Sequence, residues 1–490
     1  MLFVEFRFFA FFAFVFGVHW TLRSNTARKA FLLACNHAFY ACFFFGDPAA
    51  FLAHVLSAQW QELPDGWWFP FVLIASTCMD YAVGIGIEDS KRPASRCAWM
   101  VATIAVNIGV LCYFKYFNFF VTSVAGFLDW LGLPTSLHAL EIILPYGVSF
   151  YTFQSMSYTI EVYRGNRPAE RSFLNLAFFI SFFPALVAGP IVRAIAFLPQ
   201  THAARRWADV DVRGALVLFL VGFVKKACVA ETVAPSVDQF FAAPESYTAL
   251  SAWIAVILYA TQIFCDFSGY TDMAIAAARL LGYELTINFD FPYFATSVTD
   301  FWRRWHVSLS TWLRDYLYFS LGGNRGSKLF TYRNLMLTML LGGLWHGANW
   351  TFVIWGALHG VALVVHREWA AFRQSSPGLT RFMGFVCVPL TFYWALFTWI
   401  FFRAPDFTSA ASVLEAFVLW RSPGTASLDV RLLLLIAGCA LIHWLNFRGV
   451  FSTWWRRIPA PAFAAAYGAA SAVVLLFVPT TYKPFIYFQF

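Results

Sequence analysis

Two histidines stand where an imidazole is costly unless it has a partner or work to do. His306 closes the run Asp300-Phe-Trp-Arg303-Arg304-Trp305-His306 and is followed by Ser308, Ser310, Arg314 and Asp315. His346 lies in Leu341-Gly-Gly-Leu-Trp345-His346-Gly-Ala-Asn349-Trp350, and His359 follows within Trp355-Gly-Ala-Leu-His359-Gly360. An imidazole titrates near neutrality and is suited to taking a proton from a hydroxyl. On residue type alone His346 has three readings: structural hydrogen bonding, proton transfer, or ligation of a metal or cofactor. The last is the weakest, because no HxH, HxxxH or close histidine-carboxylate spacing accompanies it. Gly342, Gly343, Gly347 and Ala348 let another backbone or a substrate approach closely, and Asn349 adds a hydrogen-bonding group.

The elements that hold these groups follow from the pattern. Read as one helix, residues 300–315 put Trp302, His306 and Ser310 along one side, flanked by Arg303 and Arg314. Arg303, Arg304 and Arg314 then offer an anion site for a lipid headgroup or for the phosphates of a donor. A surface helix anchored by Trp302, Trp305 and Trp312, with no catalytic duty, accounts for the same residues. The turn Leu321-Gly-Gly-Asn-Arg-Gly326 lacks the Gly-Lys-Ser/Thr ending of a phosphate loop and reads as a tight connection. The run Asn334 to Val365 is long enough to cross a membrane. As one continuous helix it separates His346 from His359 by roughly 20 Å, on different faces.

Composition sets the solvent. Hydrophobic residues are 60% of the 490 and charged residues 12%, far below the charge of a soluble surface. The chain is therefore polytopic, and its 58 phenylalanines and 21 tryptophans suit lipid-facing bulk and interface anchors. The net charge of +8 is scattered over short loops rather than laid out as a stripe, so nucleic acid is excluded as a partner and membrane lipid is expected instead. The 9 cysteines contain no CxxC pair and read as small buried hydrophobes.

In chain order, spans are expected at 2–22, 30–46 and 69–87, with the basic patches Arg23–Lys29 and Lys91–Arg96 cytoplasmic and the loop Asp47–Gly66 outside. Residues 97–130 form one long tilted helix or two short ones. Val148–Val162 is polar enough to face the protein interior. Leu174–Ile191, interrupted by Pro184, Gly189 and Pro190, reads as re-entrant. Lys225 and Lys226 reach towards an interface. Asp266 and Asp272, in an apolar stretch, are expected at helix ends or in internal hydrogen bonds, with contacts to a donor tunnel as the alternative. Further spans fall near 382–402, 431–446 and 463–478, about ten to twelve in all. The tail Pro484–Phe490 is too short to cross.

These motifs together resemble the membrane-bound O-acyltransferase family, most closely its alginate O-acetyltransferase type and more distantly the D-alanyl transferases of teichoic acid. The resemblance rests on Leu144-Pro-Tyr-Gly-Val-Ser-Phe-Tyr-Thr-Phe-Gln154, Ala188-Gly-Pro-Ile191, Phe264-Cys-Asp266-Phe-Ser-Gly-Tyr-Thr-Asp272, Phe301-Trp-Arg-Arg-Trp-His306 and Leu341-Gly-Gly-Leu-Trp-His-Gly347. Tyr146, Thr152 and Cys265 depart modestly from it. The resemblance implies an all-α polytopic fold of the bacterial inner membrane, one membrane domain over 1–490, with re-entrant and interfacial helices around a central tunnel and a catalytic core at 300–360. It implies His346 as principal catalytic histidine, His306 as a second that positions or polarises the acyl group or helps stabilise the oxyanion, and His359 as a further motif histidine. Trp345, Asn349, Asp266 and Asp272 would support them.

The implied donor is an acyl thioester, acetyl-CoA or a carrier-protein thioester, with no tightly bound cofactor and no metal. The implied acceptor is the hydroxyl of an exported cell-envelope polysaccharide, reached directly or through a periplasmic or membrane-anchored acyltransferase partner. Teichoic acid, peptidoglycan and cellulose are the alternative acceptors. A polytopic transporter or an export-complex scaffold is the alternative from another class.

Overall fold

The computed structural model describes residues 2–45, 65–374, 377–451 and 454–478. Most of the loop expected outside, up to residue 64, and the tail Pro484–Phe490 lie outside the described residues. Among the described residues, helices account for the secondary structure, apart from one isolated bridge between Tyr247 and Ala426. The chain divides into two compact units, Met1–Ala215 with Ala274–Thr286, and Leu216–Met273 with Ile287–Phe490.

The first unit opens with the helices Phe6–Thr21 (α1) and Asn25–Phe45 (α2), followed by Phe69–Asp89 (α3). Pro93, pre-set for a first helical turn, starts Pro93–Leu111 (α4), which continues through a π segment, Cys112–Tyr116, into Phe117–Trp130 (α5). Residues 93–130 are thus a single long helix with a π segment inside it. Val148–Tyr163 (α6) is buried on nearly every side, as its hydroxyls and amide suggested. Asp80 of α3 collects polar groups from two helices: it accepts from Thr103 Oγ1 and Asn107 Nδ2 of α4, at 2.7 and 3.3 Å, and from Ser155 of α6. The interrupted segment is real. Phe173–Ser181 (α7) stops before the short Phe183–Leu186 (α8), non-helical backbone follows through Arg193, and Ala194–His202 (α9) resumes. This backbone is buried in protein, the condition for irregular chain at membrane depth.

Val212–Phe223 (α10) leads through a second π segment, Val224–Ala230, into Glu231–Ala242 (α11), and Ala249–Leu280 (α12) follows. In the second unit Gly222 and Gly269 meet backbone to backbone: a Cβ on either would lie 2.6 Å from the other's carbonyl oxygen. That closeness brings Lys226 to Asp266 at 2.5 Å and to Glu231 at 2.8 Å, and Lys225 to Asp272 at 2.7 Å. Both aspartates lie inside α12 rather than at its ends. The lysines answer them within the protein rather than reaching for an interface.

Two expected helices are broken. Residues 300–315 divide into Val298–Arg304 (α13), Val307–Trp312 (α14) and a π segment, Leu313–Tyr318. His306 stands in the gap with φ +44°. Trp302, His306 and Ser310 therefore do not share one helical face. The run 334–365 divides into Lys328–His346 (α15) and Trp350–Gln374 (α16), with Gly347 extended at the corner. Its two arms fold against each other, since a Cβ on Gly343 would strike Phe352 O and one on Gly356 would strike Met339 O. Pro377–Arg403 (α17), Phe407–Val418 (α18), Leu432–Phe447 (α19) and Ala460–Leu475 (α20) complete the order. Among the described residues four helices, Phe69–Asp89, Pro93–Trp130, Ala249–Leu280 and Val386–Arg403, are long and apolar enough to cross a membrane, and four shorter apolar helices accompany them.

Candidate active site

The break after α15 is what creates the site. His346 is the last residue of its helix and is 3% exposed, walled by Trp345, Trp355 and Phe402 with ring centroids at 5.0, 5.0 and 5.3 Å. Because α16 turns back, Trp355 reaches His346, and it also touches His359, one turn further along α16, at 4.9 Å. The two histidines expected to lie far apart are thus separated by one indole. His359 accepts from Trp302 Nε1 at 3.2 Å. An indole N–H only donates, so His359 receives at Nδ1 and carries its hydrogen on Nε2.

His306 comes from the other broken helix and is fully buried. Its ring centroid lies 6.4 Å from that of His346, 6.1 Å from Trp345 and 4.6 Å from Phe267 of α12. Its Nδ1 meets Asn288 Oδ1 at 3.1 Å. Asn288 belongs to a connector that showed no sign of function in the sequence. Its only signal there was a polar residue beside an aromatic run, Phe289, Phe291, Tyr293 and Phe294.

Local sequence explains why these groups are held. Ser297 caps α13 by accepting from Asp300 N, and Ser327 caps α15 by accepting from Phe330 N. The tight turn between them has Gly322, Gly323 and Gly326 at positive φ, and Asn334 Nδ2 donates to Gly323 O at 3.0 Å. Asn349 is engaged in holding the chain after His346. It caps α16 through Thr351 N and donates to Pro405 O at 3.0 Å, so it pins the corner after His346.

Residues 166–395 match the family described as MBOAT, membrane-bound O-acyltransferase family. The chain is 43% identical over 348 residues to the "Probable alginate O-acetylase AlgI" of Azotobacter vinelandii, covering 69% of this chain and 67% of that relative. Against the protein of the same description from Pseudomonas putida, identity is 37% over 460 residues, 86% of this chain and 92% of the relative. The chain belongs to the membrane-bound O-acyltransferase family. The "Teichoic acid D-alanyltransferase" of Streptococcus thermophilus is more distant, 28% identical over 236 residues, 46% of this chain and 57% of the relative.

As a family member the chain is an O-acyltransferase and a polytopic, helix-rich protein of the bacterial inner membrane. The three arginines singled out in sequence are engaged differently. Arg304 pairs with Asp300 at 2.9 Å and Arg314 with Asp315 at 2.6 Å, which holds the Arg314 guanidinium above its ordinary range, while Arg303 is exposed. Asp266 is engaged with Lys226 and Asp272 with Lys225, a step along α12 from Phe267. Among the described residues no group of three or more histidine, cysteine or acidic side chains is placed to hold a metal ion.

Proposed function

We propose that this acyltransferase moves an acetyl group from an activated cytoplasmic thioester to a hydroxyl of an exported, alginate-like polysaccharide, directly or by way of a periplasmic partner that completes the transfer. The observation that carries the reading is the convergence of two buried imidazoles, His306 and His346, from separate broken helices inside an aromatic wall. Relatives described as alginate O-acetylases, 43% and 37% identical, support the acceptor class. Acetyl-CoA or a carrier-protein thioester is a substrate here and not a resident cofactor. Exposed Arg303 is the arginine available to its phosphates.

In the transfer, the acceptor oxygen bonds to the acyl carbon as its O–H bond breaks, and His346 takes the proton. The C–S bond then breaks, and the thiolate leaves and recovers a proton on release. His306 positions the reacting groups from the other side. Trp345, Trp355 and Phe402 exclude water, which strengthens every dipole at the centre.

Purified protein in lipid vesicles, given labelled acetyl thioester and polysaccharide, is expected to yield an alkali-labile acetyl ester on the polymer. His346→Ala, inserted and folded, is expected to yield none. Normal acetylation by that variant overturns the assignment. A transporter would move solute without making the ester, and a scaffold would support modification with the histidine removed. The relative described as a teichoic acid D-alanyltransferase gives a second reading of donor and acceptor. Supplying a D-alanyl carrier-protein thioester beside acetyl-CoA separates the two.

A further inference from the structure

We propose that Asn288 is a positioning residue that sets which nitrogen of His306 carries hydrogen, making Nε2 the proton-accepting atom of that ring. The argument begins with Ser308, whose backbone N–H lies 3.1 Å from one side-chain atom of Asn288. A backbone N–H donates and never accepts, so that atom is the amide oxygen and not its nitrogen. The same oxygen lies 3.0 Å from Ser308 Oγ and 3.1 Å from His306 Nδ1. An amide oxygen only accepts, and Nδ1 must therefore be the N–H of a neutral His306. A neutral imidazole has one N–H, which leaves the lone pair on Nε2.

The backbone reinforces the arrangement. Asn288 O accepts from Val307 N at 2.9 Å, so one residue satisfies two donors in the first turn of α14. It does so beside a non-glycine residue at φ +44°, a strained conformation that needs such support. Asn288 and Ser308 are buried to 1% and 2% exposure, so water does not compete for the oxygen.

The consequence rests on the acyl-transfer reading. Stabilising an oxyanion requires an N–H at Nε2, which the neutral ring held by Asn288 lacks. His306 instead receives. The proton taken by His346 breaks its N–H bond there and forms one at Nε2 of His306, handed across by a bridging hydroxyl of the acceptor, and is then returned to the departing thiolate. The two imidazoles are proton acceptors in series, not a base and an oxyanion donor.

The test uses the full chain in lipid bilayers with 15N-labelled histidine, the His306 signals being assigned by difference from His306→Gln. Solid-state 15N spectra are expected to show His306 Nδ1 protonated and Nε2 unprotonated in the wild type. Asn288→Asp keeps an acceptor oxygen and should keep that tautomer. Its carboxylate favours the imidazolium, so the acid limb of the kcat profile should move to higher pH with KM little changed. Asn288→Ala should shift the tautomer towards Nε2–H and lower kcat by about 10- to 100-fold. A protonated Nε2 in the neutral wild type, or an Asn288→Asp pH profile superimposable on the wild type, overturns the proposal. If the tautomer is as stated and His306 variants still transfer at full rate, the acyl-transfer role of this histidine fails instead.

Discussion

The rings of His306 and His346 are 6.4 Å apart between centroids. At that distance their nitrogens lie beyond the hydrogen-bond reach of about 3.2 Å, so the rings do not form a dyad and something must stand between them. We expect His346→Ala and His306→Ala each to lower kcat by about 100- to 10,000-fold, the range of a positioned acid or base. The double variant should be no slower than the worse single, because groups acting on one proton path are not additive. Steady-state acetyl transfer by the three variants decides this; multiplicative losses would mean that the histidines act independently.

The hairpin of α15 and α16 depends on glycines that leave no room for a methyl. A Cβ on Gly343 or Gly356 would collide with a backbone carbonyl of the facing helix, which cannot rotate away. Gly343→Ala and Gly356→Ala should each cost about 1–3 kcal/mol by overpacking and part His346 from Trp355. Thermal unfolding of purified protein reads the first effect and acetyl transfer the second. Gly342→Ala serves as the control, because its added carbon meets only the flexible end of Leu313, at 3.1 Å.

Lys226 sits between Asp266 and Glu231 with all three buried, and removing the cation strands two carboxylates. Lys226→Met should cost about 3–5 kcal/mol. Lys226→Met with Asp266→Asn and Glu231→Gln together should recover most of that loss. The pair Lys225–Asp272 is more exposed, so Lys225→Met should cost clearly less. Melting curves in the same detergent rank the variants, and equal losses at both lysines would refute the ranking.

Asp406 caps α18 by accepting from Ser409 N at 2.8 Å, which holds its carboxyl below the usual carboxylate range. A depressed folded value means that the cap stabilises above the unfolded pKa and that this contribution is lost as pH falls through the folded one. Asp406→Asn keeps the cap without the charge. The variant's melting temperature should therefore fall less than the wild type's between pH 7 and about pH 3. Parallel melting curves would show that the carboxylate does nothing here.

Sequence alone reached the helical membrane fold, because charge-poor composition is a local signal, and it singled out His346 and His306 as candidates. It did not reach the geometry. The 334–365 run contains no proline, so nothing local announced that Gly347 would turn the chain and bring Trp355 to His346. The left-handed backbone at His306 was equally hidden, being imposed by Asn288 from another segment. Lys225 and Lys226 were read without Asp272 and Asp266, although charges in two apolar runs of opposite sign invite pairing. Pairings across long sequence separations leave no periodicity to read, and these were what the sequence withheld.

That α15 ends at His346 has an electrical consequence. The carbonyl end of a helix carries partial negative charge, which favours a cation placed there. Positive charge that develops at this end of α15, as a departing proton is passed on, is met by that partial charge, as it would not be at mid-helix. Had the chain run on for one more turn, those carbonyls would be taken up in helical hydrogen bonds and the partial charge would sit elsewhere.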